Sequence, residues 1–228
     1  SERSRGLGDV YKRQGKKLDS FYINIKPKYM KDQLIMGEAF TTKGRKTTRK
    51  DNYSKLDVIR LDIYKKKYFK NNPIVLLEAN DDKVAHSGDI TSQIYKNLGA
   101  VGFITDGNVR DIDKCEEINF PVFCNDVNPI DAINYWALTE YQTKIKIKNV
   151  IIAPGDMIYA SNDGIIRVMQ KDLKVFNKTL RSVLKKENDV RKLVKNMKKL
   201  SNYKKIITKF VKEKGRWLSL IHISEPTR

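Results

Sequence analysis

Residues 88–111 read Gly88-Asp89-Ile-Thr-Ser-Gln-Ile-Tyr-Lys-Asn-Leu-Gly99-Ala-Val-Gly-Phe-Ile-Thr-Asp106-Gly107-Asn-Val-Arg110-Asp111. Ile90, Ile94 and Leu98 recur at a helical period, and Gly99 is a helix stop signal. Residues 101–105 are typical of a short buried strand that ends in an Asp-Gly turn. A helix followed by a strand folds the chain back on itself, so we expect the two acidic ends of this stretch to meet.

Each end of the stretch carries an Asp at a turn before a helix. Asp89 precedes Ile90, and Asp111 precedes Ile112. Asp is a favoured helix N-cap because its side chain accepts amide hydrogens of the first turn, so capping explains either residue alone. Two carboxylates and the Arg110 guanidinium at one place would instead suit a divalent cation and a small carboxylate substrate.

The remaining pattern predicts a mixed α/β fold with a single domain over residues 15–170. Strands are predicted at residues 21–25, at 34–42 with a break at Gly37, and at 74–79, 120–124, 143–152, 157–160 and 165–169; further helices are predicted at 57–69, at 112–118 and from 171 onwards. Residues 43–55 are polar and basic and are predicted as a surface loop. Residues 171–217 are predicted as a basic C-terminal helical extension.

Both ends of the chain resemble translated sequencing-adapter sequence. We therefore interpret residues 1–14 and 218–228 as non-native tails and set them aside from the fold argument. This leaves His86 as the single histidine of the remaining chain. A site built from several His and Cys ligands is then unavailable, so a metal would be held by oxygen ligands, which favours Mg²⁺ or Mn²⁺.

Composition narrows the class of protein further. Cys115 and Cys124 are too few for a disulfide framework, which favours reduced thiols and a cytoplasmic location. No run of about eighteen apolar residues occurs, so we expect no membrane span. The formal net charge is +19, but residues 15–169 carry 24 basic and 20 acidic side chains, and the excess lies at residues 170–217. A solvated basic helix explains this distribution better than a nucleic-acid interface.

Several short motifs follow one another along the chain. They are Gly37-Glu-Ala-Phe-Thr41, Gly88-Asp89, Gly99-Ala-Val-Gly102, Asp106-Gly-Asn-Val-Arg110-Asp111, Phe120-Pro-Val-Phe123, Pro154-Gly-Asp156 and Asp163-Gly164. Their order and spacing resemble the 4-hydroxy-4-methyl-2-oxoglutarate aldolase family, which also contains the regulators of ribonuclease E activity (RraA-like proteins). The resemblance covers roughly residues 30–200 and implies a swivelling β/β/α-type domain, here truncated at its N-terminus.

The resemblance also implies an activity, namely a class II aldolase that releases pyruvate from 4-hydroxy-2-oxo acids, with oxaloacetate decarboxylation as a related reaction. By similarity, Asp111 would bind the divalent metal directly and Asp89 through water. Arg110 would stabilise charge on the pyruvyl oxygen, and the backbone at Gly88, Asp89, Ile90 and Thr91 would bind the substrate carboxylate. A metal-bound water would accept the proton.

Family members are expected to assemble as trimers or hexamers with sites at subunit boundaries, and Glu187 is a weak match to a carboxylate from the neighbouring subunit. Lys114 stands three positions after Asp111, where many members carry a carboxylate. An alternative function is therefore a non-catalytic regulator that binds a ribonuclease E-type complex, with the basic C-terminal extension as its support.

Overall fold

The computed structural model describes residues 16–181 apart from residue 33, together with residue 195. Its strands are β1 (Tyr22–Ile23), β2 (Pro27–Tyr29), β3 (Leu34–Lys46), β4 (Ile74–Glu78), β5 (Ala85–Ser87), β6 (Gly102–Thr105), β7 (Asn108–Val109), β8 (Val122–Phe123), β9 (Asp126–Val127), β10 (Trp136–Tyr141), β11 (Ile145–Ile147), β12 (Val150–Ile152), β13 (Met157–Ser161) and β14 (Gly164–Val168). Its helices are α1 (Tyr53–Ile63), α2 (Asp89–Leu98), α3 (Ile112–Glu117) and α4 (residues 173–181). Three short 3-10 turns lie at Leu18–Ser20, Lys66–Tyr68 and Gln170–Asp172.

A nine-stranded curled sheet forms the body of the protein, in the order β1-β14-β13-β3-β4-β6-β8-β2 with β10 also paired to β3. The long strand β3 joins two kinds of pairing. Its first residues are antiparallel to β13, whereas residues 39–43 run parallel to β4. Strands β4, β6 and β8 are mutually parallel and consist almost entirely of buried residues, as expected for strands covered on both faces.

A repeated strand-strand-helix unit positions the residues of interest. Strand β4 is followed by β5, and β6 is followed by β7. Strands β5, β7 and β9 form a second, three-stranded parallel sheet. Helices α2 and α3 start directly after β5 and β7. Asp89 and Arg110-Asp111 therefore occupy equivalent positions, at the start of the helix, in two successive units. This repeat explains the twenty residues between Asp89 and Arg110.

The core lies in separate layers on the two sides of the parallel strands. Phe40, Tyr95, Phe103 and Trp136 belong to an aromatic-rich cluster between the helices and the sheet. A second cluster on the opposite side is almost purely aliphatic, with many Ile residues contributed by β1, β3, β11, β12, β13 and β14. Full burial of one large apolar side chain contributes about 1.5–3 kcal/mol, so these layers dominate the stability of the fold.

The mixed α/β prediction is confirmed, and most predicted elements occur with shifts of a few residues at their ends. The predicted break of the first long strand at Gly37 is wrong, because β3 passes through this position without interruption. A Cβ on Gly37 would lie 2.3 Å from the Asn72 carbonyl oxygen, so the glycine allows a close backbone approach rather than a break.

Three further element predictions need correction. Residues 43–55 are not all loop, because β3 continues to Lys46 where it pairs with β10, and α1 begins at Tyr53. The predicted helix at 57–69 lies earlier, with Asn52 as an N-cap that accepts the Lys55 amide hydrogen at 3.2 Å. Residues 143–152 form the hairpin β11–β12 rather than one strand.

Part of the predicted C-terminal extension is described, and residues 173–181 are helical as predicted. Glu187, most of the extension and both predicted non-native tails lie outside the described residues. Within the part of the chain that the structure covers, no helix is long and apolar enough to cross a membrane.

Candidate active site

The candidate site lies where β5 and β7 end and α2 and α3 begin. The Arg110 amide donates a hydrogen bond to the Ser87 carbonyl oxygen at 3.0 Å, which joins the two strand ends. A Cβ built on Gly88 would lie 2.9 Å from Asp111 Oδ2 and 3.1 Å from Arg110 Cγ. The start of α2 is thus packed against Arg110-Asp111, and the two acidic turns meet as the sequence predicts.

Side-chain capping does not account for either carboxylate. Asp89 is the first residue of α2, and the N-cap position belongs to Gly88. Asp111 occupies the N-cap of α3 but makes no side-chain capping hydrogen bond, and its backbone is left-handed with φ 57° and ψ 41°. Such a conformation costs a non-glycine residue on the order of 1–3 kcal/mol and is common at functional sites.

A cleft of about 220 Å³ opens beside these turns. Gly88, Thr91 and Arg110, which the sequence analysis proposed as substrate-binding residues, line this cleft. Asp89 and Ile90 do not line it, and the Ile90 side chain is exposed to solvent. The structure therefore gathers the guanidinium and the first turn of α2 around one cavity.

Arg110 is held between two carboxylates at the mouth of the cleft. Its Nε lies 3.1 Å from Asp111 Oδ2, and its Nη1 lies 3.9 Å from Asp131 Oδ2. The Arg110 side chain is 39% exposed, and a guanidinium offers five hydrogen-bond donors in a planar fork. It can therefore bind a carboxylate or a carbonyl oxygen in the cleft while it keeps these two contacts.

Most residues of the cleft wall were not predicted as site residues. Tyr53 and Arg60 come from one face of α1, and Asp131 and Ile133 come from the segment before β10. The seven-residue spacing of Tyr53 and Arg60 is helical and was the one available signal. No local pattern links these segments to residues 88–111, because only the tertiary fold brings them together.

His86 also forms part of the cleft wall. Its Nε2 lies 3.3 Å from Asp81 Oδ2, and both side chains are fully buried. Its ring stands edge-on to the Trp136 ring at a centroid distance of 4.7 Å. Burial lowers the pKa of His86 below its ordinary value although the Asp81 charge opposes this effect, so the imidazole is neutral at neutral pH.

The predicted metal-binding carboxylates lie near each other around the buried Cys115. Burial raises the pKa of the Cys115 thiol, and the charges of Asp89 and Asp111 both raise it further. Among the described residues, no group of three His, Cys, Asp or Glu side chains is arranged to hold a metal ion. Two carboxylates nevertheless fit Mg²⁺, which is typically bound by one or two carboxylates together with water and substrate oxygens.

Lys114 adds positive charge to this acidic region. Its Nζ donates to both carboxylate oxygens of Glu117 at 2.8 and 2.9 Å. The hydrogen bond to Glu117 is the main reason why the pKa of Lys114 is raised, and the Asp89 charge raises it further. The charges of Lys114 and Asp89 therefore interact, although the partner of the ammonium group is Glu117.

Comparison with known proteins identifies the family. A family described as RraA-like, Aldolase/RraA, matches residues 6–167. The chain belongs to the RraA-like family. A Halalkalibacterium halodurans protein with the provisional name 4-hydroxy-4-methyl-2-oxoglutarate aldolase is 33% identical over 93 residues, which span 40% of this chain and 44% of that protein. An uncharacterized Methanocaldococcus jannaschii protein is 27% identical over 75% of this chain and 77% of its own length.

Solved RraA-like structures share the same fold. Streptomyces coelicolor RraAS2, described as an unusual member of the RNase ES inhibitor RraA protein family, matches with a TM-score of 0.70. The alignment covers 82% of this chain and 90% of that chain at 16% identity. At this identity the likeness establishes the curled α/β fold alone, and the family includes both aldolases and ribonuclease regulators.

Proposed function

We propose that this RraA-like protein is a divalent-metal-dependent lyase that cleaves 4-hydroxy-4-methyl-2-oxoglutarate-type acids to pyruvate, with oxaloacetate decarboxylation as a related activity. The observation that carries the proposal is the cleft itself. Arg110 and the first turn of α2 line the same cavity, and the carboxylates of Asp89 and Asp111 lie beside it. The name of the Halalkalibacterium relative agrees with this chemistry.

The backbone of α2 supplies the carboxylate-binding part of the proposed site. Gly88 and Thr91 line the cleft at the start of a ten-residue helix, where amide hydrogens are not used within the helix. The helix dipole favours negative charge at the same place. A 2-oxo acid would therefore lie with its carboxylate against these amides.

Arg110 would stabilise the charge that develops on the 2-keto oxygen when the bond between C3 and C4 breaks. This bond cleavage leaves the enolate of pyruvate, whose negative charge resides largely on that oxygen. A guanidinium stays ionised throughout and is already oriented by Asp111 and Asp131. The interaction strengthens as charge develops, which is the condition for catalysis rather than mere binding.

Asp111 and Asp89 would hold the metal. Mg²⁺ or Mn²⁺ would supply a Lewis acid for the keto oxygen. The donor set suits these ions because it consists of hard carboxylate oxygens and lacks the thiolate or imidazole pair that would favour zinc.

We further propose that the chain assembles as a homotrimer or hexamer. Large apolar side chains around the cleft are exposed in the single chain, among them Ile90 at 70%, Ile130 at 61% and Ile133 at 61%. Large apolar side chains left exposed near a binding site support an interface between subunits. Light scattering coupled to size-exclusion chromatography will measure the assembly, and an Ile133→Asp variant should shift it towards monomers.

The lyase proposal is tested with the complete chain, Mg²⁺ or Mn²⁺, and either oxaloacetate or 4-hydroxy-4-methyl-2-oxoglutarate, with pyruvate as the measured product. Arg110→Ala should lower the rate about 10²- to 10³-fold, and Arg110→Lys should retain part of it. Arg181→Ala is a matched control, since Arg181 is exposed on α4, a helix that contributes no residue to the cleft. Full activity in Arg110→Ala, or no metal-dependent release by the parent protein, would refute the lyase function.

Lys114 supports a second candidate function, a regulator that binds a ribonuclease E-type complex without catalysis. Its ammonium group near Asp89 would weaken metal binding. Streptomyces coelicolor RraAS2 is described as a member of a family of RNase ES inhibitors. Binding of a ribonuclease in a pull-down, lost on deletion of residues 171–217 and unaffected by Arg110→Ala, would support this function over the lyase.

A further inference from the structure

The cleft carries a guanidinium in each of two walls. Arg110 follows β7, whereas Arg60 belongs to α1 and lies on the same helical face as Tyr53, about two turns earlier. No lysine is among the residues that line the cleft as the structure describes it. Since the neutral His86 adds no charge, Arg60 and Arg110 supply the positive charge of this cavity, which suits a ligand with two anionic groups.

The aromatic-rich core cluster fixes the orientation of α1. Ile63 is fully buried, and Ile59 packs against the same cluster from one turn earlier. Leu61, which lies between them in sequence, is 69% exposed and marks the solvent face of the helix. Because Ile59 and Ile63 hold the helix at one rotation, Arg60 is presented to the cleft by the fold and not by a chance side-chain position.

Electrostatic effects on two buried groups also place the Arg60 guanidinium at the cleft. Burial raises the pKa of Tyr95 on α2, and the Arg60 charge opposes this effect. Burial lowers the pKa of His86 on β5, and the Arg60 charge lowers it further. The guanidinium is therefore within electrostatic reach of both α2 and β5, the elements that flank the cleft together with α1.

The proposed substrate is a dicarboxylate and carries two negative charges. In the proposed binding mode its C1 carboxylate lies at the first turn of α2, and Arg110 contacts the 2-keto oxygen. Arg110 also contacts Asp111 and Asp131, so its own charge is partly compensated. The C5 carboxylate at the far end of the molecule needs a separate cation, because a carboxylate that leaves water without a partner is strongly destabilised.

We propose that Arg60 binds the C5 carboxylate of the substrate and makes the cleft selective for dicarboxylic 2-oxo acids. This inference rests on the proposed lyase function for the identity of the substrate. A guanidinium can donate two parallel hydrogen bonds to one carboxylate, which gives direction as well as affinity. Arg60 is thus a specificity-determining residue, whereas Arg110 acts on the reacting oxygen.

The role of Arg60 also follows from the course of the cleavage. Breaking the C3–C4 bond converts C1–C3 into the enolate of pyruvate, and it converts C4, its methyl group and C5 into a second pyruvate. The C4 hydroxyl gives up one proton and C3 gains one, so the reaction is balanced without a further reactant. Because the C5 carboxylate keeps its charge throughout, Arg60 should contribute to substrate binding and much less to the rate of bond cleavage.

Binding of unreactive ligands tests the role of Arg60 apart from catalysis. Calorimetric titration of the complete chain with Mn²⁺ compares 2-oxoglutarate, which has a C5 carboxylate and no C4 hydroxyl, with pyruvate and 2-oxopentanoate, which lack that carboxylate. Arg60→Gln should weaken 2-oxoglutarate binding about 10- to 100-fold and leave the other two within about twofold. Arg60→Lys should retain part of the affinity for 2-oxoglutarate. Lys55→Gln is the matched control, because Lys55 is an exposed residue of the same helix that does not line the cleft.

Steady-state kinetics provide a second readout. For 4-hydroxy-4-methyl-2-oxoglutarate, Arg60→Gln should raise KM about 10- to 100-fold and change kcat less than about threefold. In 4-hydroxy-4-methyl-2-oxopentanoate a methyl group replaces the C5 carboxylate. With this substrate the parent protein and the variant should have the same kcat/KM.

The outcomes separate this inference from the function on which it rests. Unchanged 2-oxoglutarate affinity in Arg60→Gln overturns the role of Arg60, and an equal loss of affinity for all three ligands overturns it as well, because that result indicates a structural role. If the parent protein binds 2-oxoglutarate through Arg60 but releases no pyruvate from the hydroxy acid or from oxaloacetate, the lyase function is overturned and the carboxylate-binding role is supported. A parent protein that binds none of the three ligands overturns both.

Discussion

Two Arg–Asp pairs include an Asp of the characteristic motifs, Asp156 with Arg167 and Asp111 with Arg110, and they differ in burial and hydrogen bonding. Arg167 Nε donates to Asp156 Oδ2 at 2.7 Å, and the Ala153 amide donates to the same oxygen at 2.8 Å. Both side chains are nearly buried, at 13% and 5% exposure. Arg110 and Asp111 lie farther apart, at 3.1 Å, and about two fifths of each side chain is exposed.

The difference indicates that the first pair is structural and the second is available for a ligand. Asp156 follows the Pro-Gly turn that ties β13 to β3, and the Gly155 amide and the Asp156 carbonyl oxygen both bond to Ala39. Arg110 and Asp111, by contrast, line or adjoin a cleft and retain unused hydrogen-bonding capacity. We therefore expect the buried pair to serve stability and the exposed pair to serve the proposed chemistry.

The largest expected effect concerns stability. Asp156→Asn should lower the free energy of unfolding by about 3 kcal/mol, because it leaves the Arg167 guanidinium buried without its counter-charge. Asp111→Asn should change it by at most about 1 kcal/mol, since an exposed pair contributes little and Asn tolerates the left-handed backbone. Urea denaturation measures both, and equal destabilisation by the two variants would contradict the comparison.

The second prediction concerns geometry in the cleft. Gly88→Ala would push against Asp111 Oδ2 and Arg110 and should lower pyruvate release about 100-fold, as expected for a displacement near 1 Å. Gly155→Ala is the matched variant at the structural pair. Its new Cβ would lie 3.8 Å from Gln170 Nε2, an ordinary contact, but φ is 80°, so the variant should lose roughly 1 kcal/mol of stability and keep its activity per folded molecule. If Gly88→Ala kept its activity while Gly155→Ala lost it, the distinction between a ligand-binding pair and a structural pair would be refuted.

The third prediction extends the comparison to pH. The pKa of His86 is lowered from its usual 6.5, chiefly by burial, so the folded state binds fewer protons than the unfolded state below that pH. The stability that this neutral histidine contributes is present above pH 6.5 and is lost as the pH falls towards the folded-state pKa. The melting temperature should therefore decrease on acidification by about 2–4 °C for each kcal/mol lost. His86→Gln should remove the part of this decrease that His86 causes. If the melting temperature of the variant falls with acid as steeply as that of the parent protein, His86 is not its source.

The smallest expected effect concerns the metal. Lys114→Met removes an ammonium group near Asp89 and should increase Mn²⁺ affinity about twofold to fivefold at low salt, with a smaller increase at high salt. Lys83→Met is the control, because Lys83 pairs with Asp82 at the surface, away from the acidic turns. Calorimetric titration measures both, and a decrease in affinity for Lys114→Met would show that the lysine does not compete with the cation.

Local patterns were sufficient to predict α2 and β6. The helical period of Ile90, Ile94 and Leu98 corresponds to α2, and Gly99 ends it with φ 111°, a conformation that glycine adopts at low cost. Predictions failed where pairing partners are distant in sequence. The extension of β3 to Lys46 depends on β10, which follows it by some ninety residues and supplies its antiparallel partner.

The candidate site was likewise predictable from local sequence only in part. Gly88, Asp89, Arg110 and Asp111 belong to one short stretch, so their residue types and spacing by themselves determined that two carboxylates and a guanidinium would meet at neighbouring helix starts. Only the tertiary structure decided that neither carboxylate is used for capping, and that Arg60, Asp131 and His86 line the same cleft. Periodicity is a property of residues that are neighbours in sequence. The burial and contacts of a side chain depend on distant segments that the folded sheets bring together.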